Sequence, residues 1–504
     1  MLRPSLLILA AVALGTPPSY ALELKLKGGG VGQTLTFDLT GPANEQYLNI
    51  LSLTTGPTCF GPPHNICLDV GIEFLTLSIS IPGFLGTFPG SGHVTLTYPI
   101  PPDPIFASLP PVNFQFIQFN ANDTIVAKSN LCRLTLADPG TFEATLGVMA
   151  ANRALVACRE LDSGKILVSG GGDGSVFGGT GLNSCEIYDP CVEAFSPTGA
   201  MGAARAQHTI TRLNDGRILV TGGVDATGIV LASAEVYNQA SGTWSGVGAM
   251  ARARVGHTAS LLPDGRVLVA GGSSDATDAL TLITSATKTT EIFNPATNTF
   301  AAGPDMTEPK LAHSATTLAD GKVLVAGGMS FTLVFGIPVP NISAVAQVYD
   351  PASGSFGSKI TMKAGRVAHS GTLLADGRVL LAGGAGGGNP LDPMALNSAE
   401  LFNGASFAST GSLAAARAGH TATLLPDGRV LAAGGASGSI TAPVSLSSAE
   451  VFNLASGTWS TTGAMTTTRS AQAALLLADL TVLIVGGAGG ASESSLNTAE
   501  VYQP

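Results

Sequence analysis

The chain of 504 residues is poor in charge, in tryptophan and in histidine. Charged residues make up 12% of it, about half the usual ~25% of a soluble domain. Lys and Arg number 24 against 34 Asp and Glu, a formal charge of -10, so the basic face that nucleic-acid binding needs is missing. Beyond the N-terminus no stretch of 18 uninterrupted apolar residues occurs, which excludes an ordinary membrane-spanning helix. No CxxC pair, P-loop or Ser-His-Asp signature is present. What is abundant is glycine (64), proline (30) and β-branched residues, with 45% apolar residues overall. That balance excludes disorder, and the length suggests two to four domains.

The N-terminus reads as an export signal. Met1-Leu2-Arg3 is a short positive start, Ser5–Gly15 an apolar run, and Ser19-Tyr20-Ala21 a small-residue cleavage point. Cleavage after Ala21 leaves 504 - 21 = 483 residues, expected to be secreted, periplasmic or at the cell surface. Six cysteines suit such a compartment: Cys59, Cys67, Cys132, Cys158, Cys185 and Cys191. Six allow 15 connectivities. Proximity in sequence favours Cys59–Cys67 and Cys185–Cys191, leaving Cys132–Cys158.

A repeat governs the rest. Its clearest copy runs RAGHTATLLPDGRVLAAGG from Arg417, then, after a variable loop, SAEVFNLASGTWSTTGAM. The Gly-Gly pair recurs at Gly171, Gly222, Gly271, Gly327, Gly383, Gly434 and Gly486, at intervals of 49 to 56 residues. Seven copies of about fifty residues predict a seven-bladed β-propeller with four strands per blade. His-Thr-Ala-Thr-Leu-Leu is the innermost strand, Pro-Asp-Gly a tight turn, and Arg-Val-Leu-Val-Ala a strand buried on both faces. Glu-Val-Tyr is the third strand, and an aromatic opens the fourth. Paired aromatics, such as Tyr237 and Trp244, are expected to fill the wedge between blades. The last copy lacks a fourth strand, and a matching piece lies at 141–147, before the first copy. The N-terminal piece is therefore expected to close the ring and remove its open edge.

The elements R-x-x-H, L-x-D-G-R-V-L-V-x-G-G, S-A-E-V-[YF] and G-T-W resemble Kelch repeats of exported bacterial proteins, within the galactose-oxidase-like superfamily. The resemblance covers about 136–504 and implies a Kelch-type propeller, a fold that hosts many functions. Copper radical oxidases of this superfamily use two Tyr, two His and a Tyr–Cys crosslink. Here four of the six tyrosines after Ala21 are repeat positions, and no Cys follows Cys191, so that pattern is not met and no cofactor is expected. Residues 22–135 carry no repeat. Alternating segments at Leu24–Lys27, Thr34–Phe37, Thr76–Ile79, Val94–Thr97 and Phe114–Ile117 predict a β-sandwich domain.

A residue present in every copy is architectural, so departures from the repeat are the better site candidates. His208, His257, His313, His369 and His420 recur, and are read as packed between blades rather than as metal ligands. A base recurs three residues earlier: Arg153, Arg205, Arg254, Lys310, Arg366, Arg417 and Arg469. Glu186, Glu235, Glu291, Glu400, Glu450 and Glu500 recur on the third strand. The two sets either pair within each blade or leave Arg205, Arg254, Lys310, Arg366, Arg417 and Arg469 as a basic mouth for an acidic ligand. Copy four departs most, with Lys310 for Arg and Gln347 for Glu. Its loop alternates apolar residues, including Phe331 and Phe335, and predicts a protruding hairpin. Asp173, Asp225 and Asp275 follow Gly-Gly at drifting offsets and make a weak calcium pattern. The sequence thus points to a monomeric, exported binding or scaffold protein that recognises a glycan or protein through its loop face. The alternative is a carbohydrate-active enzyme, an oxidase or glycosidase, on the same fold.

Overall fold

The computed structural model describes residues 23–27, 34–44, 46–52, 55–60, 66–70, 84–89, 91, 93–100, 112–119, 125–128, 132–134 and 138–504, less 173–179, 336, 388 and 491–492. The leader expected at 1–21, the strand expected at Thr76–Ile79 and Asp173 lie outside the described residues. Within them the chain is almost wholly β, with a single short helix, Ala279–Thr284.

Near the N-terminus two antiparallel sheets share one core. The first orders Glu23–Lys27, Thr34–Thr40 and His93–Pro99. The second orders Cys132–Leu134, Val112–Phe119, Gln46–Ser52 and Leu85–Thr87, with Ile125–Lys128 also on Val112–Phe119. Side chains along His93–Pro99 alternate between exposed and half-buried, as a strand with one wet face must. From the two sheets Leu35, Phe37 and Leu39 meet Tyr47, Phe114 and Phe116. Phe37 makes edge-to-face contacts with Phe84 at 5.5 Å and Phe114 at 4.8 Å.

The repeats form seven antiparallel sheets built alike. In the first, Ala157–Glu160, Ile166–Ser169, Cys185–Asp189 and Ala194–Thr198 lie side by side in that order. The second runs Thr209–Arg212, Ile218–Thr221, Ala234–Asn238 and Thr243–Gly246. The second strand is buried along its whole length in all seven sheets, which explains its unbroken apolar sequence. Each Asp-Gly turn is set by its aspartate. Asp215 Oδ1, for example, accepts the Arg217 amide hydrogen at 3.0 Å, and Gly216 takes φ 85°. In the seventh sheet Ala473–Leu476, Val482–Val485 and Ala499–Tyr502 are joined by Phe142–Ala144, with Phe142 opposite Tyr502.

Apolar cores lie between successive sheets. Each holds the aromatic pair of one sheet and the branched side chains of the sheet before it. Tyr237 and Trp244 of the second sheet pack on Leu161, Leu167 and Met201 of the first. Tyr188 and Phe195 of the first sheet pack on Leu483 and Val485 of the seventh. Contacts between first strands run from each sheet to the next, and from the seventh back to the first. At one end of these strands, the residues just before the recurring histidines, or before Gln472 and Val156 in their places, are linked by backbone hydrogen bonds. Ala368 N donates to Ala312 O, Gly419 N to Ala368 O, Ala471 N to Gly419 O, and Leu155 N to Ala471 O, at 2.9–3.0 Å.

The cysteines correct two of the expected pairings. Cys132 is bonded to Cys191, which ties the five-stranded N-terminal sheet to the outer turn of the first repeat sheet. Cys158 and Cys185 are free thiols. The extended strand Cys185–Asp189 carries Cys191 away from Cys185, into contact with the N-terminal core. Cys185 stays in the core between the first and second sheets, and Cys158 packs against the core between the seventh and first. Burial pushes their thiols up to about 11 and about 12, so neither is a reactive thiolate at neutral pH. The backbone places Cys59 opposite Cys67 in a hairpin; their side chains lie outside the described residues.

Candidate functional site

The recurring charges are internal. Arg153, Arg205, Arg254, Arg417 and Arg469 have no exposed surface, Arg366 has 1%, and Lys310 has none. In the second sheet Arg205 Nη1 donates to the carbonyls of Gly222 and Ser233, both at 2.9 Å. Its Nη2 donates to Ser233 Oγ and Glu235 Oε1, also at 2.9 Å. Glu235 in turn accepts the amide hydrogens of Gly202 and Ala203. One ion pair thus joins the end of the second strand, the start of the third and the incoming connection. The same pairing holds for Arg153–Glu186, Arg254–Glu291, Arg366–Glu400, Arg417–Glu450 and Arg469–Glu500. The six bases expected as a ligand-binding mouth are therefore closed to solvent and already bonded. The Gly-Gly pair is part of this arrangement, since a Cβ on Gly222 (φ 58°) would collide with the Arg254 carbonyl oxygen.

Copy four keeps this logic with different residues. Lys310 Nζ donates to Gly327 O at 3.0 Å, Val345 O at 2.8 Å, Ser343 Oγ at 3.1 Å and Glu308 Oε1 at 3.0 Å. Glu308, two residues upstream, supplies the charge that Gln347 lacks. Gln347 Oε1 takes over the other task and accepts the Thr307 amide hydrogen at 2.8 Å.

The recurring histidines are neutral struts. His208 Nε2 lies 2.9 Å from Ser169 Oγ of the preceding sheet, and His257 Nε2 2.8 Å from Thr221 Oγ1. His313, His369 and His420 repeat the contact with Thr258, Ser314 and Ser370. Burial, helped by the nearby arginine, pushes His208, His257, His369 and His420 down to about 3. No cluster of three or more metal-ligating side chains occurs among the described residues. Asp225 Oδ1 accepts hydrogen bonds from Thr227 and Ile229 and shapes its own loop.

Open chemistry lies in the loops between second and third strands. Copy four forms the expected hairpin, Met329–Val334 paired with Ile337–Ile342. Its base is anchored, for Met329 belongs to a core with Val224, Val255, Leu282, Ile283 and Leu311 from neighbouring loops. Its tip is not. Phe335 is fully exposed at φ 51°, a left-handed conformation that is strained for a bulky residue, while Phe331 is half-buried. Ten of the thirteen exposed large apolar side chains among the described residues lie on these loops. They are Ile229, Leu280, Val334, Phe335, Ile337, Val339, Leu391, Met394, Ile440 and Val444, from sheets two to six. The loops of sheets five and six join in one small sheet, Ala385–Gly386, Met394–Ala395, Ala436–Ser439 and Ala442–Ser445, which stiffens the surface. Of this surface the sequence marked only the copy-four loop, with Phe331 and Phe335 as its site candidates. The other residues sit in loops of unequal length, where no repeat alignment exposes them.

A concave feature lies away from these loops. A cleft of about 550 Å³ lies at the Asp-Gly turns, lined by Arg159, Asp162, Arg212, Asn214, Asp215 and Leu261 among others. Its signal was present, for charge appears on only the first two of the seven innermost strands, ACRE and TITR.

The Kelch motif profile matches residues 213–251, which span three strands of the second sheet. No curated protein matches the chain. Among solved structures the chain is similar to one described as a novel fungal alcohol oxidase with catalytic diversity among the AA5 family, in complex with copper. Identity is 19% over 72% of this chain and 76% of that one, with a TM-score of 0.54. The fold is a Kelch-type β-propeller. A structure described as that of YjhT is also similar, at 14% identity over 62% of this chain and 98% of that one, with a TM-score of 0.47. The propeller supplies a rigid base, and the loops between second and third strands supply its adaptable face.

Proposed function

We propose that the chain is an exported, monomeric scaffold that binds a protein partner through the loop face of a closed, seven-bladed propeller. Residues 22–135 form a separate β-sandwich, and residues 136–504 the propeller. The pairing of Phe142–Ala144 with Ala499–Tyr502 and the packing of the first sheet on the seventh support the closed ring. The Cys132–Cys191 disulfide is consistent with an oxidising compartment.

The observation that carries the binding reading is the gathering of exposed apolar side chains on one set of loops. Soluble surfaces normally scatter such residues, and their concentration on one set of loops supports a contact there. Charge is sparse around them. Loops 222–233, 271–289, 327–345, 383–398 and 434–448 contain Asp225, Asp275, Asp278, Asp392 and one base, Lys288. Apolar loops that carry four aspartates and one lysine suit a protein surface with an apolar centre and a basic rim. A glycan is the second reading, favoured by the bare ring of Phe335, which offers a stacking face. No comparable observation favours the carbohydrate-active enzyme.

The test displays the chain against a peptide library and a glycan array, beside a Phe335→Ser/Ile337→Ser double variant. Peptide ligands lost in the folded variant support the proposal. Glycan ligands alone support the second reading, and a screen in which the variant loses no ligand contradicts both.

A further inference from the structure

The cleft at the Asp-Gly turns lies at the opposite end of the innermost strands from the loop face. The first three sheets build it, with Arg159 and Arg212 on neighbouring innermost strands and Leu261 on the third. The repeats provide an internal control. At the place of Arg159 the next five sheets carry Ser or Thr and the last carries Leu475; at the place of Arg212 sheets three to seven carry Leu or Thr. A strut common to all seven sheets cannot explain charges that occur in two.

The charges differ in their commitments. Arg212 is ion-paired with Asp162, and Asp215 with Arg217 at 2.7 Å. Asp162 is further fixed by its backbone amide, which donates to Gln239 Oε1 at 2.7 Å. Arg159 is exposed and makes no hydrogen bond or ion pair with any described residue. Both aspartates of the wall are thus taken, Asp162 by Arg212 and Asp215 by Arg217 beside the cleft, and the lining guanidinium left without a carboxylate is Arg159. Asn214 adds an amide donor to the wall.

We propose that this cleft binds a small, carboxylate-bearing molecule, its carboxylate held by the free fork of Arg159, with Arg212 and Asn214 as neighbouring donors. A planar guanidinium with two parallel N–H groups matches a carboxylate in shape and charge. The cavity falls within the ~300–1,000 Å³ range of small-molecule sites and admits a molecule the size of a sugar. The two paired aspartates line the cleft without repelling the ligand, because each is neutralised by its own arginine. The site is independent of the loop face, so either can fail alone.

The test is calorimetric titration of the full chain with D-glucuronate, N-acetyl-L-glutamate and D-glucose. At least one acid binds and glucose does not. Glucuronate alone identifies a sugar acid, acetylglutamate alone an acidic peptide group, and both a carboxylate recognised apart from its carrier. Arg159→Ala weakens binding about tenfold or more, since a charge-assisted hydrogen bond is worth at least ~1.4 kcal/mol. Arg159→Lys retains part of it. Arg266→Ala, which removes an arginine paired with Asp264 on the third sheet's turn, leaves the affinity unchanged. An unaltered melting temperature confirms that the Arg159 variants are folded. Binding of neither acid, equal binding of glucose, or full affinity in Arg159→Ala overturns the proposal.

Discussion

The ring of Phe142 packs 4.8 Å, centroid to centroid, from the ring of Tyr502, a residue 502 - 142 = 360 positions away in sequence. The other six repeat sheets make the same aromatic contact between their third and fourth strands, which are adjacent in sequence. Only in the seventh must the chain return from the far end of the repeat region to supply it. The contact therefore has a long loop-closure cost that the other six avoid. Removing residues 138–148 is expected to expose the edge of Ala499–Tyr502 and the core holding Met465, and to abolish cooperative unfolding. Calorimetry checks this, and an unchanged melting transition in the truncated chain would contradict it.

The buried bases give a sharper expectation. Glu308 is the charge partner of Lys310, so Glu308→Ala leaves a buried ammonium without a counter-charge. Breaking such a pair costs about 3–5 kcal/mol. Ala203 holds the corresponding place two residues before Arg205, whose charge partner is Glu235, and Ala203→Ser is expected to change little. Urea denaturation of the two variants separates them; equal stabilities would show that Glu308 is incidental.

The histidines make stability depend on pH. In the unfolded chain a histidine titrates near 6.5, whereas burial holds His208, His257, His369 and His420 at about 3. Below pH 6.5 the unfolded state takes up protons that the folded state refuses. Stability is therefore full above pH 6.5 and falls as pH drops towards 3, by up to about 1.4 kcal/mol per pH unit for each histidine. Gln472 holds the corresponding place in the seventh sheet and donates to Ala433 O at 2.8 Å, so glutamine fits this niche. His257→Gln should reduce the slope by one histidine's share in unfolding measurements between pH 4 and 7. A slope unaffected by the substitution would contradict a neutral, buried His257.

The disulfide joins two parts that otherwise have separate cores. It closes a loop of 59 residues, worth about 4 kcal/mol in the chain-entropy account. In a Cys132→Ala/Cys191→Ala variant the N-terminal sheets are expected to melt in a separate, earlier transition, with the repeat sheets unmoved. One shared transition, shifted as a whole, would show that the two parts unfold together.

How much could be read from the sequence follows from what repeats. Leu268 and Val269 announce a buried strand because six other copies carry the same apolar run. The Arg–Glu pairing was legible as one of two alternatives, because both residues recur at fixed spacing. Glu308 was not, since it lies outside the repeat and acts only where Gln347 has displaced the usual glutamate. Cys132–Cys191 was missed because proximity in sequence says nothing of a turn that points toward another sheet. Arg159 was overlooked because it and Arg212 hold different places on their innermost strands, 53 residues apart in sequence, and only the packing of the first sheet against the second brings them to one cleft.

The central claim is that residues recurring in every sheet build the molecule while departures from the repeat bind. It is tested most directly by measuring melting temperature and ligand affinity side by side for Arg417→Ala and Phe335→Ser, with a ligand selected on the wild-type chain. Arg417→Ala should lower the melting temperature by many degrees, since it strands the buried Glu450 carboxylate. Phe335→Ser should leave melting unchanged and abolish binding. Full affinity in folded Phe335→Ser, or a melting loss there as large as that of Arg417→Ala, would contradict the account.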